Sequence, residues 1–165
     1  GAAMRIASVG LLSRPDNLTL LVDRVEASAV ASHHTDVAVS GASLVAGVIA
    51  AAVESEAKMP TDERIDSVLE VGYAAAALGF QRGERVVAGS VVEKSKLAAR
   101  IARSNASDFE FLQELYDVVG ASVATTDSVP SAVGLFVRAG GDPSRSAYLA
   151  ANLGGDTDTI GAIAG

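Results

Sequence analysis

Near the end of the sequence, Gly154-Gly155-Asp156-Thr157-Asp158-Thr159 has residue types and spacing suited to cation chemistry. Carboxylates at i and i+2 lie on different sides of a regular helix, so Asp156 and Asp158 converge only where the backbone between them is not yet helical. The two glycines ahead of them permit such a backbone. Asp156 and Thr159 stand at i and i+3, the spacing of a helix N-cap and its N3 position. Two carboxylates and a hydroxyl form a hard oxygen set that suits Mg²⁺, Mn²⁺ or Ca²⁺ and not zinc. The same spacing also fits an aspartate that only caps the last helix. On the residues alone, both readings stand.

Elsewhere the chemistry is sparse. The 165 residues contain no cysteine, which excludes disulfides, thiolate metal sites and a Cys nucleophile. His33 and His34 are adjacent, but two neighbouring histidines without cysteine do not make a metal site. One of them is expected to cap or pack. Asp36 beside them is a weaker candidate. Arg5 invites a phosphate-clamp reading, with a structural ion pair as the preferred alternative. Ser8 and Thr35 belong to no nucleophile elbow, and there is no Walker-type Gly-Lys-Ser/Thr. Thirteen basic against 20 acidic residues give a net charge of −7, which repels a phosphate backbone and argues against nucleic-acid binding as the main role. A local phosphate site on backbone N–H groups remains compatible with it.

Helices must position these groups. Period-3.6 patterns are plentiful and period-two alternation is not. Leu18, Leu21, Val22 and Val25 share a helical face, with Asp16 or Asn17 as cap. A second helix is predicted from about Thr35 to Glu56. Its uncharged stretch Val37 to Val53 falls short of a membrane span and reads as a buried core helix. Pro60 breaks the chain, and Thr61 or Asp62 caps a third helix reaching Leu78. Gly79 and Gly83 mark its end, with Arg82 meeting the negative end of the helix dipole.

Glu84 to Arg103 reads as helix, less cleanly at Gly89 and Ser90. Ser107 or Asp108 caps the next, with Leu112, Leu115, Tyr116 and Val119 as its apolar stripe. Thr125-Thr126-Asp127 and Pro60-Thr61-Asp62-Glu63 fit local capping. Val129, Val133, Phe136 and Val137 give another helix, ended by Gly140-Gly141. Asp142-Pro143 starts the next. The last helix begins near Asp158. Aromatics make up only 4% of the chain, and the abundance of Ala and Gly implies close helix–helix packing. The expected architecture is one all-α domain spanning residues 1–165, with no membrane span. No signal or transit peptide is visible, so the cytoplasm is the expected compartment.

Asn152-Leu-Gly-Gly-Asp-Thr-Asp-Thr-Ile-Gly-Ala-Ile-Ala-Gly165 resembles the C-terminal motif of the ADP-ribosylglycohydrolase family. That family includes dinitrogenase-reductase-activating glycohydrolase, the ADP-ribosylhydrolases and the J1 crystallins. Gly1-Ala-Ala-Met-Arg-Ile-Ala-Ser-Val-Gly10 is similar to a second family motif, usually preceded by Gly-Asn. Ser32-His33 resembles a third. Ser128-Val-Pro-Ser-Ala-Val133 followed by Phe136 resembles a fourth. The first and last motifs in the chain are the specific ones, and all four occur in the family's order across essentially the whole sequence.

The resemblance implies a compact, orthogonal all-α fold and a hydrolase that cleaves the bond at C1″ of ADP-ribose in ADP-ribosylated proteins or small molecules. By the same resemblance, Asp156, Asp158 and Thr159 hold part of a binuclear Mg²⁺ centre, with Mn²⁺ as the alternative ion. Gly1, Ala2 and Met4 border the ADP-ribose cleft through backbone N–H groups, and His33 lies beside the distal ribose or the phosphates. A Thr-Asp-Asp-Thr metal motif and an upstream acidic residue of the family have no counterpart here, so the general base is not assigned. Mg²⁺ takes about six oxygens, more than these three side chains supply. The expectation is a fragment whose partner is the missing N-terminal segment, inactive alone, or else a natural truncation. Gly1 to Met4 has a second reading, as a cloning remnant before an initiator methionine. The alternative function is an inactive crystallin-like or ADP-ribose-binding paralogue.

Overall fold

The computed structural model describes residues 1–55 and 61–165. Every regular element among them is helical, as expected. They form two compact units, Gly1–Ala88 and Gly89–Gly165. Glu56 as the end of the second long helix, and Pro60 as its breaker, lie outside the described residues.

The first unit opens with a single 3-10 turn, Ala3–Arg5, followed by α1 (Ala7–Leu11), α2 (Leu18–Ala29), α3 (Asp36–Glu54) and α4 (Thr61–Gly79). Asn17 caps α2 by accepting from the Leu20 amide at 3.1 Å. Thr35 caps α3 through Ala38 at 3.3 Å. A helix that is apolar all round must be buried, and α3 is: Val39, Ala42, Leu44, Ala46 and Ala50 are inaccessible or nearly so. It packs against α1, α2 and α4.

Small side chains set the α3–α4 spacing. A Cβ on Gly72 would stand 2.5 Å from Val48 Cγ2 and 3.0 Å from the Leu44 carbonyl oxygen. A larger residue there would push the helices apart.

Arg82 departs from expectation. Its guanidinium does not cap the end of α4. Instead it bridges Asp23 at 2.8 Å and Glu26 at 3.2 Å on α2, because the chain turns away after Gly79. Gly83, at φ +75°, lies so close to His34 that a Cβ would be 2.7 Å from its carbonyl oxygen. The returning chain then makes an isolated parallel bridge between Thr35 and Glu84.

The second unit contains α5 (Val91–Ala102), α6 (Asp108–Glu114), α7 (Thr125–Arg138), α8 (Pro143–Leu153) and α9 (Thr157–Ala164). The helix expected from Glu84 begins only at Val91. Ser90 stays extended and uses its hydroxyl to cap Glu93 at 3.2 Å; a serine that bonds its own backbone in this way marks a boundary. Ser107 and Glu110 form a full capping box on α6. That helix continues as a π-helical turn, Leu115–Val119. The wider turn corrects the apolar stripe, since Leu112, Leu115 and Val119 are buried while Tyr116 is 46% exposed. Asp142 caps α8 with Pro143 in its first turn. The Thr125-Thr126-Asp127 cap is also corrected: Ala124 is the cap residue of α7, without a side-chain bond, and Asp127 lies inside the first turn. α7 packs against α5, α8 and α9.

Candidate functional site

The candidate residues fall into two sets, one in each unit. In the second unit, α8 ends at Leu153, and Gly154 (φ +85°) and Gly155 (φ +69°) turn the chain into α9. Left-handed backbone at both positions requires glycine. A Cβ on Gly155 would also collide with the Ala121 carbonyl oxygen. The turn delivers the Asp156 amide to that same carbonyl at 2.8 Å.

Asp156 then occupies the N-cap position of α9, yet its side chain makes no capping bond. Its Oδ2 is buried without a hydrogen-bond partner among the described residues. The other buried atoms in that condition, among the described residues, are serine hydroxyls. A carboxylate oxygen removed from water is far costlier to leave unmatched than a hydroxyl. Capping therefore does not account for Asp156.

Asp158 lies exposed in the first turn of α9, and Thr159 is half-buried one residue on. The chemistry of this donor set fits a hard divalent cation. Among the described residues no cluster of three or more His, Cys, Asp or Glu side chains is assembled for a metal. Asp156 and Asp158 thus supply two carboxylates and not a complete ligand shell.

An aromatic-walled groove of about 560 Å³ in the same unit runs between α6 and α8, lined by Phe109, Tyr116, Tyr148 and Asn152 among others. It reaches the motif loop: a Cβ on Gly154 would lie 3.7 Å from the Tyr116 ring. Tyr116, which its spacing places in the apolar stripe, faces this groove because the π-helical turn rotates it off that stripe.

In the first unit, Gly1 lies directly against His33, so that a Cβ would be 2.6 Å from its Cε1 and Nε2. Met4 is 38% exposed and Ala2 is buried. The amides of Ala3 and Met4 precede the first bonds of the 3-10 turn and have no backbone acceptor among the described residues. The Ser32 hydroxyl joins two candidates, receiving the Arg5 Nη2 bond at 2.7 Å and meeting His33 Nδ1 at 2.8 Å. Among the described residues Arg5 does not make the expected ion pair. Its partners are neutral, the Ser32 hydroxyl and the Ser28 carbonyl.

Partial burial holds the His33 pKa below the usual histidine value, and the positive charge of Arg5 adds to the effect. His34 turns elsewhere, to Glu26 at 3.0 Å. It is the histidine of the pair that packs. Asp36 is also structural: it is buried, and its Oδ1 accepts from the amides of Val37 and Val86.

The ADP-ribosylglycohydrolase family profile matches residues 1–165. Over 164 residues the chain is 35% identical to YegU, an uncharacterized protein of Escherichia coli, covering 99% of this chain and 47% of that protein. Over 165 residues it is 32% identical to an uncharacterized protein of Archaeoglobus fulgidus, again covering 47% of the relative and all of this chain. The chain spans about half the length of the curated relatives it matches.

Proposed function

The chain belongs to the ADP-ribosylglycohydrolase family, and from that premise we propose that the protein hydrolyses the glycosidic bond at C1″ of ADP-ribose in a Mg²⁺-dependent reaction. The observation that carries this reading is Asp156: a residue at a helix N-cap that does not cap, with one carboxylate oxygen buried and unmatched. A cation ligand needs that oxygen free.

In this reading Asp156, Asp158 and Thr159 hold Mg²⁺, with Mn²⁺ as a substitute. Further ligands are required, because Mg²⁺ takes about six oxygens. When bound, the ion supplies a template for the ribose hydroxyls and Lewis-acid charge. The positive charge that develops on the ribose in an oxocarbenium-like transition state favours a site rich in carboxylates. In the first unit the roles are proposed for binding and not for bond cleavage. The amides beside Gly1 to Met4 donate to the ligand, and His33, held by Ser32, donates to a ribose hydroxyl or a phosphate. The substrate is an ADP-ribosylated protein or small molecule, and the remainder of the longer polypeptide is the partner that completes the ligand set.

The test is turnover by the full-length protein on a panel of ADP-ribosylated substrates, with Mg²⁺ and with chelator. Asp158→Ala is expected to abolish metal-dependent cleavage while leaving the helical circular-dichroism spectrum intact. Unchanged turnover in that variant would sink the metal assignment. Binding of ADP-ribose with no cleavage of any substrate would overturn the hydrolase reading in favour of a binding protein.

A further inference from the structure

The loop between the π-helical turn and α7 is held at several points along its five residues, 120–124. At its start, Gly120 (φ +97°) has the Asp127 carboxylate so near that a Cβ would lie 2.8 Å from Oδ2. The hydroxyl of Ser131, on α7, donates to the Gly120 carbonyl at 2.6 Å. In the middle, Ser122 donates to Asp127 Oδ2 at 2.6 Å. The other oxygen of Asp127 receives Lys94 Nζ, from α5, at 2.6 Å. At its end, the Ala124 carbonyl accepts from the amides of Asp127 and Ser128 and from the Ser128 hydroxyl. Between these anchors sits Ala121, whose carbonyl holds the Asp156 amide at 2.8 Å.

We propose that Lys94, Asp127 and Ser122 form a positioning cluster for Asp156: by fixing the 120–124 loop they fix the Ala121 carbonyl, and through it the backbone that aims the Asp156 carboxylate. The inference deepens the metal-site reading and rests on it for its consequence, though not for its geometry. The Asp156 side chain makes no capping bond, so its main chain is held by the Ile160 amide of α9 at 3.0 Å on one side and by the Ala121 carbonyl on the other. The contact is close as well as polar, since Gly155 packs on Ala121 with no room for a side chain. Ser128 and Ser131, both within the Ser-Val-Pro-Ser segment, thereby acquire a physical role in holding the loop. Groups that orient a metal ligand from behind have large effects when removed, of order 10- to 100-fold in metal affinity.

The experiment uses the full-length protein and two readouts. Hydrogen exchange of the Asp156 amide is measured without metal, and Mg²⁺ affinity is measured by calorimetry. Asp127→Ala is expected to speed exchange at Asp156 and to weaken Mg²⁺ binding by about tenfold or more. Lys94→Arg, which keeps the charge, is expected to retain most of both. Ser107→Ala removes a capping box in the same unit and serves as the control for general destabilisation; it is expected to leave both readouts unchanged. Should Asp127→Ala fail to fold, Ser122→Ala removes one arm of the cluster and carries the same expectation at smaller size. Wild-type exchange at Asp156 in folded Asp127→Ala or Ser122→Ala would overturn the proposal, as would an equal loss in Ser107→Ala. A wild-type protein that binds no Mg²⁺ would sink the metal reading alone, because the exchange readout still decides the positioning role.

Discussion

The Asp156 amide donates to the Ala121 carbonyl at 2.8 Å, across 35 residues of sequence, while the Asp156 side chain makes no bond to the helix it precedes. The backbone and the side chain of one residue thus have separate tasks. The main chain is anchored on a neighbouring loop, and the carboxylate is left with a buried, unmatched oxygen. Ordinary N-cap aspartates spend that oxygen on the helix amides.

Gly155→Ala tests the tightness of this junction. The substitution places a Cβ at φ +69° and against the Ala121 carbonyl. Left-handed strain of roughly 1–2 kcal/mol and overpacking of about 1–3 kcal/mol add, so urea denaturation is expected to show a loss of about 2–5 kcal/mol. A loss under about 0.5 kcal/mol would mean that the loop yields freely and does not fix Asp156.

Most of the fold is legible in the sequence, and the reasons are local. Asn17, Thr35, Ser107 and Asp142-Pro143 mark helix starts through side chains that bond their own backbone. The apolar face of α2 and the all-round apolarity of α3 predict their burial. What escaped depends on distant contacts. The π-helical turn that exposes Tyr116 breaks the 3.6 period without any proline or glycine inside it. Arg82 looks like a helix-end cation, yet the turn at Gly83 sends it to α2. The pattern Gly-Gly-Asp-Thr-Asp identified the site segment, but nothing in that spacing told a cap from a ligand. What argues against a cap is a tertiary fact, the Asp156 carboxylate left without a capping bond and with one oxygen buried, and the loop's anchor Asp127 read as a local cap.

His33 provides a pH test. Its folded pKa lies below the unfolded value of about 6.5, so the unfolded chain takes up the proton first. The neutral form's contribution to stability is therefore complete above about pH 6.5 and declines as pH falls toward the folded value. An NMR titration of the His33 ring should give a midpoint below 6.5, moving upward in Arg5→Ala. A midpoint at or above 6.5 would contradict the environment described for it.

Arg138 is the polar keystone of the second unit. It bonds Asp108 at 3.1 Å and the carbonyls of Ser104 and Ala106 at 3.0 and 2.5 Å, and it lies 5.2 Å from the centre of the Phe111 ring. A lysine cannot reproduce a planar fork with several fixed donors. Arg138→Lys is expected to cost about 2–3 kcal/mol in chemical denaturation, from the hydrogen bonds to a charged group that it forfeits.

Acid should act on the same unit. Desolvation raises the pKa of Asp108 and of Asp127, but their cationic and hydroxyl partners outweigh it, and both are depressed. Their stabilisation is present above the unfolded value of 3.8 and is lost as pH falls through the lower folded values. Acid unfolding monitored by circular dichroism should begin at higher pH in Lys94→Met than in wild type, because Asp127 has then lost the ammonium that keeps it ionised.

The central claim is that Asp156 is free because a cation takes it. Calorimetric titration of Mg²⁺ into the full-length protein, wild type beside Asp156→Asn, tests this most directly. The account predicts saturable Mg²⁺ binding by the wild type and an affinity at least about tenfold weaker in the variant, with both proteins equally helical. Equal affinity in the two, or no binding by the wild type at millimolar Mg²⁺, would contradict it.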